Sequence, residues 1–447
     1  MSTSGGRHAR SSAPSDARPA VLVGFVAACE FALAWLATSS AMMAATVIVG
    51  VLAVISCVLW PSLILGAAFP ASFATWRVGP AAIDLSIADL MTFLGVLAAF
   101  PSIPWRAKAF RQILWASLAY SLVVGVAVVG HFTVSGAIEV VHRFAMIAGT
   151  VSIGAALVHR GKVTPALRAL VLVATVVSIA AIIDTLSNDL EPAYAFGLQK
   201  NSIGTLLVSS IICVYFGRSQ LRWPLWLVAS AGLTMAGGLA ASQSRGSGLA
   251  LAAVFVVFLI RNAWLRKTRR VWRLVPLVLL LAAGLGTTMV MSFQEQANER
   301  TGEEYKFSSV GTRETTYRTV WDDVITPNPI IGAGPKWFTQ PGAPAGEPHN
   351  LVLDELSSDG AIGFIAFVAM LWVCLRVANR APPPLGELAW YAIVARLTAA
   401  SFDIFWVAGP NTLPFLLLGL GVGASSIEER DGTSDAPVVV PIAASAV

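Results

Sequence analysis

Apolar runs long enough to cross a bilayer recur along the whole chain, and no other feature constrains its fold as strongly. A helix of roughly 15–22 apolar residues covers most of the ~30 Å hydrocarbon core with its backbone groups bonded internally. Such runs lie at 21–38, 42–60, 62–76, 83–100, 113–131, 137–158, 166–186, 202–216, 225–241, 246–260, 274–293, 351–377, 388–407 and 413–424. The third is short and contains Pro70, so it is a candidate re-entrant segment. Only 12% of the residues are charged, about half the share in a soluble domain, and the apolar surplus must face lipid. The expected fold class is all-α, a polytopic transmembrane helical bundle of about 12–14 segments with one long loop carrying short helices.

Basic residues sort the loops. Arg106, Lys108 and Arg111 form one basic connection, Arg160, Lys162 and Arg168 a second, Arg218 and Arg222 a third. Arg261, Arg266, Lys267, Arg269, Arg270 and Arg273 form the largest, and Arg376 with Arg380 a fifth. The positive-inside rule then puts these loops and both termini in the cytoplasm, and the long polar run outside. The expected organisation is a cytoplasmic tail at 1–19, a membrane bundle at 20–292, an extracytoplasmic loop at 293–350, further membrane helices at 351–424 and a flexible tail at 425–447. The run at 21–38 contains Glu30 and lacks a clear cleavage site, so it reads as an uncleaved first helix. A net charge of +5 would suit nucleic acid, but no nucleic-acid motif accompanies it and no such partner is expected. Cys29, Cys57, Cys213 and Cys374 are scattered through apolar runs and read as small buried residues, not disulfide or zinc partners.

The polar run at 291–353 is where chemistry can sit, because hydrocarbon cannot satisfy irregular backbone. His349, in Glu347-Pro348-His349-Asn350, directly precedes an apolar helix, and Pro348 holds its predecessor extended. An imidazole at that boundary can take a proton from a hydroxyl at neutral pH; the alternative is a helix-capping histidine. Arg313, Tyr317 and Trp321 share one helical face, as in an amphipathic helix at the membrane surface. Arg313 then either meets an anionic headgroup or is an ordinary solvated charge.

Other candidates come from elsewhere in the chain. Arg245, in Gln243-Ser244-Arg245-Gly246-Ser247-Gly248, is a lone arginine at an outside helix start with small neighbours, a setting suited to pyrophosphate or to a lipid headgroup. Lys200 and Asn201 open another helix at the same level, as added positive charge or as a cap. Arg143 pairs with Glu139 at i, i+4 inside a span and is kept as a supporting residue. Asn350 and Asp354 follow His349, and Asp354 and Asp359 are candidates to orient the histidine or a sugar. Asp359-Gly360 marks a helix break, and Arg396 with Asp403 is expected to pair inside the bundle.

Familiar catalytic loops are missing: no P-loop, no HExxH, no serine-hydrolase elbow, and no DxD-like pair on an outside loop for a divalent cation. No metal or cofactor is expected. Arginines in a metal's place imply a leaving group that is already a polyprenyl pyrophosphate.

Ser244-Arg245-Gly246, Gly311-x-Arg313-x-x-x-Tyr317, Pro329-Ile330-Ile331-Gly332-Ala333-Gly334-Pro335-x-x-Phe338 and His349-Asn350-x-x-Leu353, followed by Asp359-Gly360-Ala361-Ile362-Gly363, resemble the O-antigen ligase and polymerase superfamily. The resemblance covers mainly 239–371 and departs from the family at Tyr317, where tryptophan is common, and at Asp359, where glutamate is frequent. It implies a GT-C-like glycosyltransferase of the inner (cytoplasmic) membrane, working without metal on a glycan carried by undecaprenyl pyrophosphate. The partners would be that lipid-linked glycan, a glycan or lipid acceptor, and membrane lipids. His349 would match the family's acceptor-activating histidine, and Arg245 and Arg313 its pyrophosphate-binding arginines, with Lys200 assisting. A Wzy-type polymerase is the alternative within the same chemistry. A lipid-linked oligosaccharide flippase is the alternative from another class, although it would line a central path with charge rather than gather it on one face.

Overall fold

The computed structural model describes residues 51–78, 85–266 and 309–432. The expected tail at 1–19, the spans at 21–38 and 274–293 and the first part of the long loop lie outside the described residues. The chain divides into two compact units, 1–59 and 60–447. In the first, the described part is helix α1 (Val51–Leu59); everything below concerns the second.

Helix α2 (Pro61–Ala71) starts on a proline, where the missing N–H costs nothing, and ends one residue after Pro70. Its 11 residues span about 17 Å, so the run at 62–76 does not cross a membrane alone as one helix to its end. It gives way to a small antiparallel hairpin, β1 (Arg77–Val78) with β2 (Leu85–Ser86). Ser86 then caps α3 (Ile87–Ala99) in a reciprocal box with Asp89.

There follow α4 (Lys108–Gly130), α5 (Val134–His159, with a π turn at Ala145–Gly149), α6 (Val163–Ser187), α7 (Lys200–Phe216), α8 (Leu225–Ser242) and α9 (Arg245–Arg266). Beyond the undescribed stretch come α10 (Ser309–Val320), α11 (Leu351–Arg380), α12 (Leu385–Ala400) and α13 (Thr412–Asp431). Among the described residues five of these, α4, α5, α6, α8 and α11, are long and apolar enough to cross a membrane. The protein is therefore an all-α polytopic membrane bundle. Glycines let α5 and α13 touch backbone to backbone: a Cβ on Gly154 would lie 2.8 Å from the Cα of Gly419.

Two of the boundaries that differ from the sequence expectation lie near the C-terminal helices. The run at 388–407 is not one span: α12 stops at Ala400 and residues 401–411 form an irregular strap. Arg396 explains why the strap can be buried, since its guanidinium donates to the carbonyls of Ile404 (2.6 Å) and Phe405. It makes no ion pair with Asp403, so the expected Arg396–Asp403 pair is corrected here. The last helix also continues past 424 to Asp431 and ends on Gly432 in the left-handed conformation.

Helix α11 carries the break that positions the loop. Gly360 has φ 65° and ψ −169°, outside helical geometry. The backbone groups released by the break are taken up by the Pro329–Gly334 segment. Ala333 and Gly334 N–H donate to the carbonyls of Ser357 (2.8 Å) and Ser358 (2.9 Å), and Ala361 N–H donates to Pro329 (2.9 Å). Irregular backbone is tolerated beside a membrane helix when it is satisfied this way. Trp337, Val320, Val324 and Ile325 form a small core that seats α10 on α11, and Trp337 Nε1 donates to Ser357 Oγ at 3.0 Å.

Gly360→Ala is expected to destabilise the fold by at least about 2–3 kcal/mol, because this backbone region is essentially restricted to glycine. A Cβ there would also meet the Ile330 carbonyl. A melting curve in detergent checks this, and an unchanged midpoint would refute it.

Candidate functional site

Three cations meet where α7, α9 and α10 begin. Gln243 turns the chain with a φ of 50°, and Arg245 opens α9. Gly204 on α7 allows the close approach, since a Cβ there would lie 2.6 Å from Ser247 Oγ. Ser244 Oγ bridges to Asn201 Oδ1 (3.2 Å) and to Ser247 Oγ (2.8 Å), tying the two helix starts together. Lys200 stands just ahead of the apolar part of α7. Burial lowers the pKa of its ammonium, and the neighbouring charges of Arg245 and Arg313 lower it further. Arg245 is exposed, while Lys200 and Arg313 are half-buried. Like charges held together at two helix N-termini repel unless an anion joins them.

The strap between α12 and α13 connects this cluster to His349. A Cβ on Gly246 would lie 3.2 Å from Phe402 Cβ, which places the start of α9 against the strap. One residue earlier, the Ser401 carbonyl accepts from Asn350 Nδ2 (3.0 Å); one residue later, Asp403 Oδ1 lies 3.1 Å from His349 Nδ1. Asn350 also caps α11, accepting from Val352 N–H (3.0 Å) and Leu353 N–H (3.1 Å). Tyr317, one turn beyond Arg313 on α10, donates its hydroxyl to the His349 carbonyl at 3.1 Å. The imidazole itself remains 45% exposed, open to a substrate.

Asp403 is the group that sequence reasoning assigned elsewhere. Burial pushes its pKa up, but the His349 hydrogen bond, the Ile404 N–H and the Arg396 charge outweigh that and leave it below the usual carboxylate value. An ionised carboxylate on Nδ1 fixes the ring and leaves Nε2 for a substrate proton. The available signal was the acidic residue inside an otherwise apolar run.

Arg143 and Asp354 do not touch His349. Arg143, on α5, donates to Asp359 Oδ2 (2.5 Å), Tyr120 Oη (2.8 Å) and Glu139 Oε1 (3.3 Å), and it lies over the ring of Trp406. The Glu139 contact is the i, i+4 pair read from the sequence. Asp354 is buried, with Ser358 Oγ at 3.4 Å, so its expected part in orienting the histidine is replaced by Asp403. Trp321 is exposed at the end of α10.

Comparison with curated proteins gives no match. The family model described as O-Antigen ligase matches residues 230–368, about a third of the chain. That segment contains Arg245, Arg313, Tyr317 and His349, the starts of α9, α10 and α11 and the Gly360 break, whereas Lys200, Arg143 and Asp403 come from outside it. Over residues 230–368 the chain is similar to the O-antigen ligase family.

Proposed function

We propose that this membrane protein transfers a glycan from undecaprenyl pyrophosphate to an acceptor hydroxyl at the outer face of the cytoplasmic membrane. The supporting observation is the meeting of Lys200, Arg245 and Arg313 beside the His349–Asp403 pair. In a single displacement the acceptor oxygen bonds to the anomeric carbon as the bond from that carbon to the pyrophosphate oxygen breaks, inverting the configuration. His349 Nε2 takes the acceptor proton while Asp403 stabilises the imidazolium. The departing pyrophosphate leaves with its electron pair into the three cations. Fixed charges there stabilise the transition state more than the ground state. The acceptor is a glycan or lipid hydroxyl.

Transfer from a lipid-linked glycan by the full chain in lipid nanodiscs tests this. Arg245→Gln and Arg313→Gln are each expected to lower kcat/KM for the donor by about 10–100-fold, the cost of a lost charge-assisted contact of ~1.5–3 kcal/mol. Wild-type turnover in both variants would remove the assigned pyrophosphate site. Absence of transfer by the wild-type chain would remove the reading.

A further inference from the structure

A second chamber lies beside the site and is not used by the chemistry above. Its volume is about 450 Å³, within the ~300–1,000 Å³ range of small-molecule pockets. Arg77, Asp89, Glu139, Lys336 and Glu347 line it, together with the strap at Ile404 and 406–408. The strap therefore meets three places in order. Phe402 faces the start of α9, Asp403 holds His349, and Ile404 onward walls the chamber, while Ser401 at the head of the strap holds Asn350.

The chamber's charges are mixed, unlike those of the cation cluster. His142 lies 2.7 Å from Asp89 and 3.2 Å from Glu139, so it is already engaged by both carboxylates. With three carboxylates against Arg77, Lys336 and His142, the walls offer no surplus of positive charge for a pyrophosphate. They offer donors and acceptors side by side, which is what a hydroxyl-rich neutral ring needs. Glu347 is the wall residue nearest His349 in sequence, two residues before it. Among the described residues it makes no hydrogen bond or ion pair, although it is only partly exposed. Glu347 faces the charges of Lys336, His349 and Arg77 without a hydrogen bond to its carboxylate, which leaves its oxygens able to accept from a ligand hydroxyl.

Building on the transfer reading, we infer that this chamber binds the acceptor as a neutral saccharide, with Glu347 accepting a hydrogen bond from a hydroxyl of the ring whose neighbour faces His349. The order along the strap fits a displacement, which needs the nucleophile and the leaving group on different sides of the reacting carbon. Glu347 is a positioning residue for the acceptor.

Burial raises the pKa of Glu347 against the opposing charges of Lys336, His349 and Arg77. A raised carboxyl destabilises the fold as pH rises through its folded value, because ionisation is then disfavoured in the folded state. Glu347→Gln is accordingly expected to melt at the same temperature or higher at pH 8 while losing saccharide binding. That combination would not follow from a merely structural role.

The test is saturation-transfer NMR of the full chain in nanodiscs with methyl hexopyranosides, alongside binding of undecaprenyl pyrophosphate. Glu347→Gln and the chamber-filling Thr339→Trp are expected to reduce the saccharide signal at least fivefold, with undecaprenyl pyrophosphate bound as in wild type. A wild-type chain giving no saccharide signal, or a signal unchanged in both variants, overturns the chamber assignment. Loss of the saccharide signal in the variants, with no binding of undecaprenyl pyrophosphate by wild type, supports the chamber and instead overturns the transfer reading.

Discussion

His349→Ala is expected to lower glycan transfer by about 10²–10⁴-fold, the usual contribution of a positioned general base. Asp403→Asn should come close to it. The amide can no longer stabilise an imidazolium, and when its NH₂ faces Nδ1 it selects the wrong tautomer; in a comparable histidine–carboxylate pair such a change costs about 10⁴-fold. The two losses should not add, because both residues act on one proton transfer. A double variant no slower than His349→Ala is therefore expected. The pH dependence separates the partners. The depressed pKa of Asp403 means that the stability it lends is fully present above the unfolded carboxylate value of about 3.9, and is lost only as pH falls through the still lower folded value. Asp403 therefore contributes no titration between pH 5 and 8, and an acid limb in that range belongs to another group. Replacing Asp403 by Asn removes the carboxylate held against Nδ1, so the profile of that variant should differ from wild type. A pH–rate profile of Asp403→Asn superimposing on wild type would dissociate Asp403 from the base.

The parts of this site written in local sequence were legible, and those made by the fold were not. Lys200 and Arg245 announce themselves because each opens an apolar helix, and Arg313 because it sits in the long polar run; the structure brings Arg245 and Arg313 within electrostatic reach of Lys200. Gly360 was legible as a break, but its purpose was not, since the Pro329–Gly334 turn that fills it lies some 25–30 residues earlier. Asp403 was misassigned because hydropathy runs straight through it. The end of α12 at Ala400 depends on Arg396 reaching forward to strap carbonyls, a contact no window of hydrophobicity records. Asp354 was overvalued for the opposite reason, because closeness to His349 along the chain says little once a helix turns the side chain inward. The chamber beyond Glu347 draws on Arg77, Asp89, Glu139 and Lys336 from separate elements, a juxtaposition that only the bundle creates.

The largest expected effect on the fold is that of Arg143→Met. Arg143 lies 9 residues into α5, about 14 Å along the helix axis, and is 3% exposed. Glu139 and Asp359 contact its guanidinium directly, and Glu355 Oε1 stands 3.7 Å away while also receiving Trp406 Nε1 at 2.5 Å. Methionine fills much of the same volume but leaves those carboxylates in a low-dielectric interior without their guanidinium. Breaking a buried ionic cluster from one side costs about 3–5 kcal/mol. Arg143→Lys keeps the charge but cannot reach Tyr120, Glu139 and Asp359 in one planar fork, so an intermediate loss is expected. The effect should travel to the site. Asp359 immediately precedes Gly360, where α11 bonds to the 329–334 segment, and Trp337 anchors the same loop to Ser357. Thermal melting in detergent, paired with transfer assays on the surviving fraction, tests this. Combining Arg143→Met with Asp359→Asn should recover part of the stability, since the added amide removes one uncompensated carboxylate. An Arg143→Met protein that melts like wild type would show that the cluster does not hold the loop in place.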